Sequence, residues 1–310
     1  MRHQLPVRPP LGGTVGRDHG GKVGLLAKIA FVAPLTGPEA VVGVPMMKTV
    51  RLAVEAFRQD ASLPFELQLV GFNDEADPGK ARTVAERLAA DESVLGVVGH
   101  KNSGPCAAAG PIYASAGLAQ LTPSATNTRL AQQGWPTFFR LCADNERQAR
   151  AAARFALAEL QVTRVATVHD NTDYGRPLAE TFISAVEDGG AEVVLVEEVA
   201  LGQRDFRGTV EALAGAEADL IYFGLTEIES SYLVRTLHDV GVSSLCFGAD
   251  GGPTSPFPDL AGEVAEGVYE TYAGADPAAN PAGRDFLRAC EQAYGKCPIF
   301  GAEAYDAALV

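Results

Sequence analysis

The chain has 310 residues, 47% of them apolar and 21% charged, with a net charge of −14. One hydrophobic core rarely serves that length, so two domains are expected. The acidic balance argues against nucleic acid and anionic membrane surfaces as partners, since both need a basic face. No run approaches the ~20 apolar residues that span a bilayer.

Residues 1–27 mix Arg, His, Pro and Gly and contain no apolar block of the secretory-signal kind. They are expected to be a disordered leader or the product of a start set too early. The one apolar piece nearby, Val23 to Pro34, runs straight into the first predicted strand, Ile29 to Ala33. A Gly/Pro turn follows, then a helix with Met46, Val50, Ala53, Val54 and Phe57 on one face. Phe65 to Phe72 reads as a strand. Asp77-Pro78 supplies an N-cap and a proline at the first helical position, ahead of the stripe Ala81, Val84, Ala85 and Leu88. Strands at 94–98, 118–121 and 138–141 continue the series, with an alanine-rich helix at 104–115.

A second series follows Asp144: helix 145–160, strand 164–168, helix 174–187, strand 192–197, helix 207–214, strand 220–223, helix 228–240 and strand 245–247. Strands joined by helices of this length imply parallel sheets covered on both faces. The expected fold class is therefore α/β, with two doubly wound parallel-sheet lobes joined by a hinge. In such sheets ligands sit beyond the carboxyl ends of the strands. The loops at 99–104, 122–126, 169–175, 224–229 and 248–252 all follow strands and are the most polar and glycine-rich in the chain.

Each candidate in those loops has a plain structural alternative. Ser103 stands where an N-cap would, yet the first N–H groups of a helix also receive carboxylates. Thr122 to Thr126 is a turn with hydroxyls on both sides of a proline, which local hydrogen bonds alone would explain. Tyr174 at a helix start is packing or a ligand contact. Asp250 is a loop carboxylate or the counter-charge of an ammonium group. Five cysteines are too few and too scattered for a disulfide scaffold. Cys290 and Cys297 flank one short segment and could be bridged, although the odd count favours free, partly buried thiols.

An ordered set of segments resembles the leucine/isoleucine/valine-binding group of type I periplasmic binding proteins. They are P-L-T-G-P (34–38), N-D-E-A-D-P (73–78), G-H-K-N-S-G (99–104), L-T-P-S-A-T-N-T-R-L (121–130) and H-D-N-T-D-Y-G (169–175). D-L-I-Y-F-G (219–224), F-G-A-D-G (247–251), E-G-V-Y (266–269) and A-Y-D-A-A-L (304–309) extend the likeness over roughly 28–310. The resemblance implies lobe 1 over 28–144 plus 274–310 and lobe 2 over 145–273. It also implies that the C-terminal part of lobe 1 is truncated, because that family continues past the position of Val310.

The same resemblance implies that the Ser103 and Thr126 hydroxyls receive an α-carboxylate. The Ser124 carbonyl and the Asp250 carboxylate would hold the α-ammonium, and Tyr174 would close over the ligand from the second lobe. Val42, Thr226 and Phe300 would line the side-chain pocket, with Val and Thr at two positions where the family often has larger aromatics. The disulfide some relatives carry is absent, since Ala76 and Asn102 occupy its positions. The implied function is clamping a small amino acid, aliphatic or branched-chain or a close relative, for an ABC transporter permease. An amide is a second implied ligand class. No cofactor, metal, nucleic acid or membrane insertion is expected, and the implied location is periplasmic or extracytoplasmic.

Two rivals remain. A cytosolic amide or amino-acid sensor of the same fold would control a regulatory partner. A hydrolytic enzyme is more distant: Lys101 and Pro105 stand where a nucleophile elbow around Ser103 needs glycines. His100 and His169 fall in different loops, no G-x-x-x-x-G-K-[ST] is present, and no His/Cys/acid trio has metal spacing.

Overall fold

A computed structural model of the chain describes residues 15–17, 23–59, 63, 65–251 and 254–310. Contacts divide it into two compact units. Unit 1 comprises the chain up to Ala125, Arg129–Cys142 and Gly274–Val310, and unit 2 comprises Thr126–Thr128 and Ala143–Ala273.

Unit 1 is built on strands β1 (Val15–Arg17), β2 (Val23–Ala33), β3 (Phe65–Asn73), β4 (Val94–Gly99), β5 (Ala119–Thr122) and β6 (Phe138–Arg140). β2 lies between β3 and β4, and β5 and β6 follow outward from β4; these pairings are all parallel. The expected leader over 1–27 is corrected in part. β2 starts at Val23, and β1 pairs antiparallel with residues 23–25. Pairing with β1 and β3 extends the strand toward the N-terminus past Lys28. The remaining leader positions, 1–14 and 18–22, lie outside the described residues.

Helices α1 (Ala40–Arg58), α2 (Pro78–Ala90) and α3 (Ser103–Ser115) cover this sheet, and α9 (Pro281–Tyr294) and α10 (Gly301–Leu309) complete unit 1. On one face Ala30, Val32, Val94 and Val97 meet Ala85, Leu88, Ala109 and Tyr113. On the other Ala27 and Leu67 meet Val54 and Phe57 of α1. The N-cap at Asp77 is present, its carboxylate accepting from Lys80 N at 2.7 Å.

Unit 2 carries a five-stranded parallel sheet in the order β11, β10, β9, β7, β8. These are β7 (Arg164–Asp170), β8 (Glu192–Val199), β9 (Leu220–Gly224), β10 (Leu245–Gly248) and β11 (Tyr269–Glu270). All five residues of β9 are buried, so its alternation sorts side chains between two cores instead of between core and water. Ile221 and Phe223 join the core under α6 (Arg207–Gly215), α7 (Glu227–Val240) and α8 (Phe257–Ala261). Leu220 and Tyr222 join the core under α4 (Asn145–Ala158) and α5 (Gly175–Asp188), where Tyr222 stacks on Phe182 with centroids 3.8 Å apart.

The chain leaves β7 toward β8 on one side and returns to β9 on the other. The ends of β7 and β9 therefore flank the point where strand order reverses, the position at which open α/β sheets bind ligands. The ends of β2 and β4 do the same in unit 1. Close backbone approach shapes the unit 2 switch point. A Cβ on Gly175 would lie 2.3 Å from Asp170 Oδ1 and 2.3 Å from the Gly224 carbonyl oxygen.

Gly175→Ala is therefore expected to push the start of α5 off the sheet, at a cost of about 1–3 kcal/mol from overpacking. A lowered thermal midpoint, with retained helical circular dichroism, is the expected result.

Candidate functional site

In unit 1 the loops after four successive strands are tied together. After β2, Leu35 N donates to Asn73 Oδ1 at 2.8 Å, and Asn73 Nδ2 donates to Thr36 Oγ1 at 2.7 Å. After β3, the buried Asp74 carboxylate meets His100 Nδ1 at 2.7 Å, while the Tyr113 hydroxyl lies 3.2 Å from Nε2. After β5, Thr122 Oγ1 donates to the His100 carbonyl at 2.8 Å and accepts from Ala125 N at 3.0 Å. Ser124 Oγ donates to the Lys101 carbonyl at 3.0 Å. The segment His100–Ser103 is thus held from both sides.

Ser103 is 2% exposed and is the first residue of α3, whose N-cap is Asn102. The N-cap reading of Ser103 is corrected: Asn102 has the extended backbone of a cap, and one residue later the chain is already helical. The structure brings Ser103 and Ser124 into this one tied loop cluster. Val42, on α1, is 1% exposed. Phe300, 2% exposed with φ +54°, immediately precedes α10, which packs on α1.

Beside the cluster, the Glu39 carboxylate accepts from Lys101 Nζ at 2.9 Å and from Asn102 Nδ2 at 2.7 Å. Burial works to raise the Glu39 pKa, but the Lys101 charge and the two hydrogen bonds outweigh it and hold the carboxyl below its usual range.

In unit 2 the expected residues meet a set that the sequence did not single out. Gln148 Nε2 donates to Asp250 Oδ1 at 2.7 Å. Asp250 sits at φ +57°, in the left-handed region, and the next residue, Gly251, donates its N–H to the Thr271 carbonyl at 2.9 Å. The Tyr174 hydroxyl is buried beside the Asp250 carboxylate, and no described group meets it at hydrogen-bonding geometry. Burial first, then the Asp250 charge, push this phenol well above its ordinary pKa. Tyr222, fully buried at the next strand, is raised by the same two causes.

Around Tyr174, Asn145 Nδ2 donates to its carbonyl at 3.1 Å and Asn127 Nδ2 donates to the Asp173 carbonyl at 2.5 Å. Thr126 belongs to unit 2, where its carbonyl accepts from Asn145 N at 2.8 Å. Thr226 is the N-cap residue of α7, but its hydroxyl bonds to the Glu229 carboxylate instead of to the helix end. The Glu229 carboxylate also accepts from Gly202 N at 2.7 Å.

Buried polar atoms normally have partners. Here Thr126 Oγ1, Asn145 Oδ1, Gln148 Oε1, Tyr174 Oη and Tyr222 Oη have none among the described residues. All five belong to residues linked by contact to one another or to Asp250. Gln148 and Asn145 left one signal in the sequence. They interrupt the alanine stripe of α4 at buried spacing, where an amphipathic helix calls for apolar side chains.

The sequence profile of the family described as "Periplasmic binding protein" matches residues 27–310, and the chain belongs to that family. A Leu/Ile/Val-binding protein homolog of Brucella melitensis is 31% identical over 282 residues, covering 91% of this chain and 76% of the relative. The crystal structure of a leucine binding protein from Thermotoga maritima superposes with a TM-score of 0.82 at 27% identity, covering 92% of this chain and 81% of that one. A branched-chain amino acid transporter substrate binding protein from Streptococcus pneumoniae, solved with isoleucine, gives 0.80 at 25% identity over 92% and 82%.

Glu39→Gln is expected to destabilise unit 1 by up to about 3 kcal/mol at neutral pH, because it removes the largely buried carboxylate charge that Lys101 Nζ donates to. Glu39 has a depressed pKa, so its stabilisation is complete above the ordinary carboxylate range and is lost as pH falls through the lowered value. Melting curves of wild type and variant should therefore converge on acidification. A gap that stays constant from pH 7 to pH 3 removes the ion pair from the account.

Proposed function

We propose that this chain is a solute-binding protein that takes up a free amino acid, aliphatic or branched-chain or a close relative, and delivers it to an ABC permease outside the cytoplasm. The observation that carries this reading is the set of buried, unpartnered polar atoms around Asp250. Each is buried and has no protein partner among the described residues, and a polar ligand supplies partners.

Asp250 receives the α-ammonium, and its carboxylate is fixed from behind by Gln148. The Ser124 carbonyl adds a further acceptor. The hydroxyls of Ser103 and Thr126 receive the α-carboxylate, with N–H groups at the start of α3 aiding through the helix dipole. Charge-assisted hydrogen bonds of this kind are about twice as strong as neutral ones, so they set affinity, while the side chain sets selectivity. Tyr174 closes over the ligand, and Val42, Thr226 and Phe300 meet its side chain. The relatives' names and the isoleucine in the pneumococcal structure support the same ligand class. No helix among the described residues is long and apolar enough to cross a membrane.

Thermal-shift screening against the free amino acids and their amides tests the reading. An aliphatic amino acid at a hundred times its Kd should stabilise the protein by about 2.7 kcal/mol. If no zwitterion or amide moves the melting temperature, the proposal fails.

Calorimetry on variants tests the assignment of groups. Asp250→Ala leaves the ammonium without its counter-charge and is expected to cost about 3–5 kcal/mol of binding. Tyr174→Phe removes a neutral hydroxyl and is expected to cost about 0.5–1.5 kcal/mol. Gln148→Leu should fall between the two. Equal affinity for wild type and Asp250→Ala takes Asp250 out of the site.

A further inference from the structure

Unit 1 ends in a small core separate from those under its sheet, formed by Phe286, Cys290 and Cys297 and flanked by Leu52, Leu287, Tyr294, Ala302 and Tyr305. Cys290 lies on α9. The helix stops at Tyr294, Gly295 at φ +83° follows, and Cys297 joins the same core as Phe286 and Cys290 of that helix. Cys290 is 0% exposed and Cys297 5%, and both are thiols.

The two thiols share this core, seven positions apart on either side of the Gly295 turn. Cys297 lowers the pKa of Cys290, and Cys290 together with burial raises that of Cys297. The other three cysteines sit apart from this core. Cys106, on α3, is fully buried and its thiol is pushed up to about 12 by burial, and Cys246, on β10, is raised to about 11 for the same reason. Cys142 closes unit 1 just before α4.

We propose that Cys290 and Cys297 form a disulfide when the protein folds under oxidising conditions, closing the turn between α9 and α10. The oxidant is a small-molecule or protein disulfide. The Cys290 thiolate attacks one of its sulfurs and releases the first thiolate. Cys297 then gives up its proton to solvent, and its sulfur attacks Cys290 Sγ, releasing the second. The pair loses two electrons and two protons, and the external disulfide is reduced to two thiols. Because both sulfurs are buried in the folded chain, the exchange takes place while the 290–300 segment is open. The bridge tethers the turn that ends in Phe300, so the left-handed residue ahead of α10 is held by a covalent link as well as by packing.

Intact-mass analysis after alkylation in denaturant decides the matter, using full-length protein folded in a glutathione redox buffer. Three of the five cysteines should alkylate before reduction and all five after it. Trypsin cuts after Arg288 and after Lys296, so the pair falls on two peptides, 289–296 and the one beginning at Cys297. These should run as one linked species that reductant splits. Five adducts without reductant, or a link that involves Cys106, Cys142 or Cys246, overturns the proposal. Reductant should also lower the melting temperature of the wild type by about 5 °C and leave the double variant Cys290→Ser/Cys297→Ser unmoved. If that variant does not fold, the mass map of the wild type still gives the answer.

Discussion

Parallel strand pairing is the constraint on which the rest of this molecule depends. A parallel sheet needs cover on both faces, and in β9 that leaves no residue exposed from Leu220 to Gly224. Along a strand buried in that way a polar group is the exception, and in β9 it is the Tyr222 hydroxyl. The other candidate groups gather where strands stop: Lys101 and Ser103 after β4, Tyr174 after β7, Thr226 after β9 and Asp250 after β10. The strand order then selects among those ends, because crossovers that leave in opposite directions open space only beside β2 and β4 in unit 1 and beside β7 and β9 in unit 2.

The two units solve the problem of burying polar groups differently. Unit 1 pairs most of its own: Asp74 has His100, Thr122 has the His100 carbonyl and Ala125 N, and Glu39 has Lys101 and Asn102, while Asn102 Oδ1 and Gln120 Oε1 have no partner among the described residues. This makes the Ser103 loop rigid before any ligand arrives, and preorganised groups lose less freedom on binding. Unit 2 leaves several of its groups incomplete. Gln148 uses its amide N–H₂ on Asp250 and leaves its oxygen bare, and the two phenols beside that carboxylate have no partner among the described residues. Local consistency is expected everywhere except at functional sites, and the incomplete groups mark where to look.

Periodicity and turn chemistry made most elements legible, because helices and strands here follow their own apolar spacing. Asp77 capped its helix as read, and the strand–helix alternation gave two α/β series. Residues whose role depends on a partner far along the chain were less visible. Gln148 and Asp250 are 102 positions apart, and Asn102 is 63 from Glu39. No local pattern records such a contact. The start of β2 was placed late because a strand's end is fixed by what pairs with it. Their place in polar loops after strands singled out Ser103, the Thr122–Thr126 turn, Tyr174 and Asp250, but only the resemblance to a known family gave each a role.

The sequence by itself determined the α/β class, the alternation of elements and the family, since these are written in short-range spacing and in ordered motifs along one chain. The tertiary structure alone decided the strand order and its two switch points, the tying of the Ser103 loop, the support of Asp250 by Gln148 and the meeting of Cys290 with Cys297. The physical reason is range. Backbone propensity acts over a few residues, whereas hydrogen bonds between strand-end loops form only after packing has brought distant segments to within about 3 Å.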